Sequence, residues 1–466
     1  MEQTNLKENK MGSMPLPKLI FSMSLPAIFS MLIQSLYNIV DSMYVAQIGE
    51  NALTAVSLAF PIQTLLIAVA VGTGVGCNSL ISRRLGEQRH DVASQAASHG
   101  LVLALLSSAV FALLGFLFVK PFFAAFTGDA EVLQMGCDYG YIVTILCFGS
   151  FLQIACEKVL QATGNMIYPM VFQLMGAVIN IVLDPILIFG YFGLPAMGVK
   201  GAAIATVAGQ IIAMLFSVYI LLTKDHEIHI TFKGFKFQGK VVKDIYKVGF
   251  PSIIMQSIGS VMMVGLNAIL TSFSGAAVSI MGVYNKLQSF VFMPIFGLNQ
   301  GLMPIMGYNY GARNKKRLMG TLKIGMGAAF AIMALGTLLF NFLPTQLLGM
   351  FNPSAEMSRI GIPALHILSI CFLPAAYSMI LSTLFQATGH GTSSLFTSVL
   401  RQLVVILPLA FFLSRFWGVT GVWAAVPLAE IAAIVASTVI FRSIYSSEIR
   451  NLDAASLSAE REQPQG

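Results

Sequence analysis

Gln34-Ser-Leu-Tyr37-Asn38-Ile-Val-Asp41 decides how the rest of the chain reads. It sits inside an apolar run that opens after Lys18 and closes near Gly49. Gln34, Asn38 and Asp41 follow the spacing i, i+4, i+7, so a helix places them on one face. A carboxylate inside a membrane-spanning helix costs about 3 kcal/mol on insertion scales unless something compensates it. Such an acid therefore reads first as functional and second as polarity lining a watery vestibule.

The composition supports a membrane setting. The chain has 466 residues, 56% hydrophobic and 10% charged, against about 25% charged in a soluble domain. Apolar runs long enough to cross a bilayer recur twelve times, near 19–48, 52–80, 92–119, 132–160, 166–192, 197–223, 245–273, 276–306, 319–343, 357–386, 393–416 and 418–443. The expected fold is an all-α polytopic membrane protein. Residues 1–18 are polar with no apolar core or cleavage site, so no signal peptide is read there. The five cysteines form no CxxC pair, which argues against a zinc site or a disulfide framework.

Lysines and arginines set the expected topology. With the amino terminus inside, the cytoplasmic segments hold 3, 3, 6, 5 and 3 of them, twenty in all. The outer loops hold four: Lys120, Lys200, Arg359 and Arg415. Both termini are then cytoplasmic. Lys158, Lys286 and Arg401 fall within spans. The net charge of +7 thus reads as a topology signal rather than a nucleic-acid surface.

The chain repeats itself. Gln161-Ala-Thr-Gly164 recurs as Gln386-Ala-Thr-Gly389 at an offset of 225, which also relates Gly72, Gly76 and Gly86 to Gly297, Gly301 and Gly311, and Pro26 to Pro251. Gly198-Val-Lys-Gly201 matches Gly418-Val-Thr-Gly421 at 220. The expected organisation is an N-lobe at 19–223 and a C-lobe at 245–445. A basic, aromatic linker at 224–244 joins them, residues 1–18 precede them and a polar tail at 446–466 follows. Each half has six spans and starts inside, so the pseudo-two-fold axis is expected along the membrane normal; such halves commonly enclose a substrate cavity and rock about it.

Further polar groups on the fifth and sixth spans join Asp41. Gln173, Asn180 and Asp184 share a face of the fifth span, and Pro185 frees the Ile181 carbonyl beside them. Gly198, Ala202, Thr206 and Gln210 step by four along the sixth. Asp41 lies eight residues from Gly49 (49 − 41), Asp184 eight from Phe192 (192 − 184) and Thr206 eight from Gly198 (206 − 198). At 1.5 Å per residue each is about 12 Å below the same surface. Hard oxygen ligands of this kind suit Na+ or a shared proton. The second half lacks them: the repeat counterparts are Leu266, Leu407 and Val426. Glu157, beside Lys158, reads equally as a proton relay or as a local charge pair. Glu430, at the repeat position of Gln210, reads more simply as a structural partner of Lys286 or Arg401 than as a cavity residue.

No phosphate loop, HExxH or GxSxG is present, so neither an ATP-driven pump nor a hydrolase is expected, and no organic cofactor is implied. A channel is disfavoured by the lack of a pore loop. A lipid-linked precursor flippase, for which the spans carry few basic residues, and an exporter of one specific metabolite on the same scaffold are the competing transporters.

The chain resembles the multidrug and toxic compound extrusion (MATE) family, in its DinF-like branch, over nearly its whole length. The resemblance rests on Ser24-Leu-Pro26, Leu36-Tyr37-Asn38-Ile-Val-Asp41, the Gly72–Gly86 stretch, the repeated Gln-Ala-Thr-Gly, Asn180-Ile-Val-Leu-Asp184-Pro185 and Gly198–Thr206. It implies a V-shaped, two-lobed, twelve-helix antiporter of the bacterial inner membrane. Such a protein exports cationic or amphipathic compounds against H+ or Na+, and is expected as a monomer. It also implies a first-lobe cation site of Asp41, Asn180, Asp184, Thr206 and the Ala202 carbonyl, flanked by Gln34, Tyr37 and Asn38. Substrate contacts are further expected from Glu157, Gln173, Gln210 and Glu430.

Overall fold

The computed structural model describes residues 9–224, 227–230, 235–351 and 353–452. Helices dominate, and no strand occurs among the described residues. A short α1 (Lys10–Ser13) precedes α2 (Leu16–Ile48), α3 (Glu50–Gly86), α4 (His90–Phe126), α5 (Ala130–Ile145), α6 (Phe148–Ala162), α7 (Ile167–Phe189) and α8 (Val199–Thr223). The second half comprises α9 (Gly239–Thr271), α10 (Gly275–Gly311), α11 (Lys315–Phe342), short α12 (Pro344–Gly349), α13 (Ala355–Ser369), α14 (Phe372–Ala387), α15 (Gly391–Val399), α16 (Leu407–Trp417) and α17 (Val419–Ser447). A π-helical turn over Leu400–Ile406 joins α15 to α16.

Ten of these helices are long and apolar enough to cross a membrane, counting α15 to α16 as one, and twelve spans result when each bent pair counts as one. The runs at 132–160 and 357–386 are such pairs: α5 meets α6 at 44° and α13 meets α14 at 45°. Each half thus carries six spans. The opening spans of the halves match in length, since α2 and α9 both have 33 residues and α3 and α10 both have 37.

The repeated motifs have local physical roles. Gln-Ala-Thr-Gly ends a helix: Gly164 and Gly389 take φ of +89° and +90°, where a Cβ is strained. Asn165 N–H then donates to the Leu160 carbonyl at 3.0 Å, and His390 N–H to that of Phe385 at 2.7 Å. The glycines of α3 and α10 serve close packing instead. A Cβ on Gly72 or Gly76 would collide with the backbone of α9 near Ile253 and Ile245, and one on Gly297 or Gly301 with that of α2 near Ile28 and Ser24.

That packing organises the chain into two compact units. One holds residues 1–28, 85–88 and 254–466; the other holds 29–84 and 89–253. The opening turns of α2 therefore pack with the second half of the sequence, and those of α9 with the first. Arg317 secures the start of α2 by donating from Nη2 to the carbonyls of Met11 (3.0 Å) and Met14 (2.8 Å). Every residue of the first-half acid cluster lies in the unit built from 29–84 and 89–253.

Candidate functional site

α7 and α8 pack closely because Gly209 faces Gly176 and Asn180: a Cβ there would come within 2.8 Å of the Gly176 carbonyl oxygen. Asn180 and Asp184 are 1% and 0% exposed, and Thr206 and Ala202 are buried beside them. With its nitrogen turned to Asp184, the Asn180 amide is paired at both its nitrogen and its oxygen. Its Nδ2 donates to Asp184 Oδ2 at 2.9 Å, while its oxygen accepts from the Thr206 backbone N–H at 3.0 Å and hydroxyl at 3.2 Å. This triad is fixed by three residues on two helices.

α2 brings the second acid. The Asp41 and Asp184 carboxyls face one another within hydrogen-bonding reach. The Tyr37 hydroxyl is within reach of Thr206. Oδ1 of Asp41 and Oδ1 of Asp184 are each buried and accept no hydrogen bond. No lysine or arginine pairs with either acid among the described residues. Two facing carboxyls without a basic partner are costly while both are charged, and a shared proton or cation would relieve that cost. The ligand set around them is all oxygen, the chemistry of a proton or a hard monovalent ion.

Other expected residues lie elsewhere. Gln34 and Asn38 are exposed on α2. Glu157 forms a separate cluster on α6: it is 3% exposed, and accepts from Gln153 Nε2 at 3.0 Å and Gln173 Nε2 at 3.3 Å. Its neighbour Lys158 points instead to Gln161 Oε1 at 3.0 Å. Gln173 stands seven residues before Asn180, about 10 Å along α7. Gln210 is half-buried on α8. Glu430 belongs to the other unit, where Oε1 accepts from Arg401 Nη1 at 3.0 Å and Oε2 accepts nothing.

Two residues of the acid cluster escape the sequence reading. Tyr139 on α5 is 2% exposed, interacts electrostatically with Asp41 and Asp184, and its hydroxyl accepts from Gln63 Nε2 of α3 at 2.6 Å. The usable signal is the broken repeat: 225 residues after Tyr139 stands Ala364.

Twelve apolar spans, two matched halves and a buried acid pair open to a small ion define a polytopic membrane transporter. The comparisons with known proteins then specify it. The MatE family profile matches residues 26–186 and 251–412, one match per half, offset by 225 (251 − 26). The chain belongs to the MatE family, whose members are transporters rather than enzymes. It is 24% identical to the "FAD transporter" of Shewanella oneidensis over 90% of this chain and 93% of that one. It is 26% identical to "Multidrug export protein MepA" of Staphylococcus saprophyticus over 90% and 92%. Among solved structures, an outward-facing multidrug resistance MATE transporter of the MOP superfamily matches with a TM-score of 0.89 at 27% identity, covering 96% of this chain and 99% of that one.

Proposed function

We propose that the protein is an H+- or Na+-coupled antiporter that exports cationic or amphipathic compounds across a bacterial inner membrane, with both termini cytoplasmic and one chain as the working unit. The coupling ion sits between Asp41 and Asp184, with Asn180, Thr206, Tyr37 and the Ala202 carbonyl around it. The observation that carries the reading is the pair of unpartnered Oδ1 atoms on facing acids. The ion relieves the cost of burying both carboxyls and holds the α2 and α7 walls together. Its departure leaves that cost unrelieved, so the walls part and solute and ion occupy the protein alternately. Glu157, held by two glutamine amides, serves as a polar relay. The family likeness to multidrug exporters supports the solute class.

The test is efflux of ethidium from proteoliposomes under a pH gradient alone and a Na+ gradient alone. One gradient drives efflux in the wild type, and neither does in Asp41→Asn or Asp184→Asn. Full gradient-driven efflux by a correctly folded Asp184→Asn protein would end this assignment.

A further inference from the structure

Lys286 is the charge that the acid cluster does not use. It lies eleven residues into α10 from Gly275 (286 − 275), about 16 Å along the helix, while the hydrocarbon core is about 30 Å thick. An ammonium at that depth is beyond the reach of a lysine stem returning to the interface. Yet Lys286 is exposed, and it pairs with no carboxylate among the described residues. Facing hydrocarbon, such a charge would cost several kcal/mol, about 3. The face that carries it must border water.

The rest of that face agrees. Ser279, Gly282 and Ser289 are exposed with Lys286 at helical spacing, and a Cβ on Gly282 would meet nothing within 4 Å. One turn beyond Lys286 the face becomes apolar, with Phe290 51% exposed and Met293 half-buried. A single helix face thus offers an unpaired ammonium and, one to two turns along, an aromatic ring and an adaptable thioether. Its complement is a molecule with an anionic group at one end and a flat apolar ring system at the other.

We propose that Lys286 binds the anionic group of an amphipathic, ring-bearing solute, whose apolar part rests on Phe290 and Met293. The proposal rests on the reading of the chain as an exporter of amphipathic compounds and adds an anionic class to its solutes. Among the described residues Lys286 has no hydrogen-bond partner to lose, so Lys286→Gln is expected to fold.

The probes are flavin mononucleotide and riboflavin, which share a ring system and differ by one phosphate. Binding to the purified full-length protein is read by quenching of flavin fluorescence, with no ion gradient, so the result is independent of whether ion coupling is assigned correctly. The wild type is expected to bind flavin mononucleotide about fivefold more tightly than riboflavin, the scale of one partly screened charge pair. Lys286→Gln is expected to erase that preference and Lys286→Arg to keep it. A wild type without the preference, including one that binds neither flavin, overturns the proposal. So does a Lys286→Gln protein that retains it.

Discussion

The two halves share a scaffold and spend their buried charge in opposite ways. In the first, the helix pair α7–α8 carries Asp184, Asn180 and Thr206, and α2 adds Asp41 with no basic partner. In the second, the matching pair α16–α17 and its π turn carry Glu430, paired with Arg401 at 3.0 Å, while α10 carries the unpaired Lys286. Leu266, the counterpart of Asp41, is 1% exposed, and its neighbour Gly265 packs on Leu407, the counterpart of Asp184. Where one half faces two acids without a basic partner, the other fills the same place with leucine.

That contrast breaks most severely at Leu266. Leu266→Asp buries a carboxylate with no partner, costing about 3 kcal/mol or more; thermal unfolding in detergent should show a sharp loss of folded protein. The analogous acid at position 41 is native, so tolerance of Leu266→Asp would show that the second half can also hold an ion there. Glu430→Gln leaves Arg401 without its counter-charge. A stability loss of about 1–3 kcal/mol is expected, smaller because the Arg401 side chain is 22% exposed.

The shared scaffold predicts equality rather than difference. Gly164→Ala and Gly389→Ala place a side chain at the same left-handed turn in each half, and each should cost about 1–2 kcal/mol. A large inequality between their melting shifts would mean that the repeated turn is not equivalent. The smallest effect is expected at the edge of the acid cluster. Tyr139→Phe removes the acceptor for Gln63 and should cost about 1 kcal/mol, read as a modest melting shift with a several-fold slower ethidium efflux.

Much of the acid cluster was legible because it obeys helical spacing. Asp41, Asp184 and Thr206 stand at one depth with Asn180 one turn from Asp184, and the structure gathers them. The motifs Gln-Ala-Thr-Gly and the spaced glycines announced the duplication, since each marks a backbone conformation or a contact only glycine permits. The break near Ile370-Cys371 is foreshadowed by Pro374, which cannot donate to the Ile370 carbonyl; the break at Leu146-Cys147 has no such proline, so tertiary packing sets that bend. The π turn at Leu400–Ile406 sits just before Pro408, which cannot donate to the Val404 carbonyl, and that is a local reason for the widened turn. Nor does spacing reveal that the opening turns of α2 and α9 lodge in opposite units, because that depends on which glycine face each meets. Gln63 and Tyr139 were missed because a buried tyrosine reads as core until its hydroxyl is seen paired with Gln63.

The central claim is that the acid pair holds an ion that the solute displaces. Its most direct test is the ion released when ethidium is added to purified protein, followed with a pH indicator in weak buffer and in parallel with radiolabelled Na+. The wild type should release about one proton or one Na+ per chain, as one site shared by two acids requires. Asp41→Asn and Asp184→Asn should release neither. Undiminished release from both variants would contradict the account.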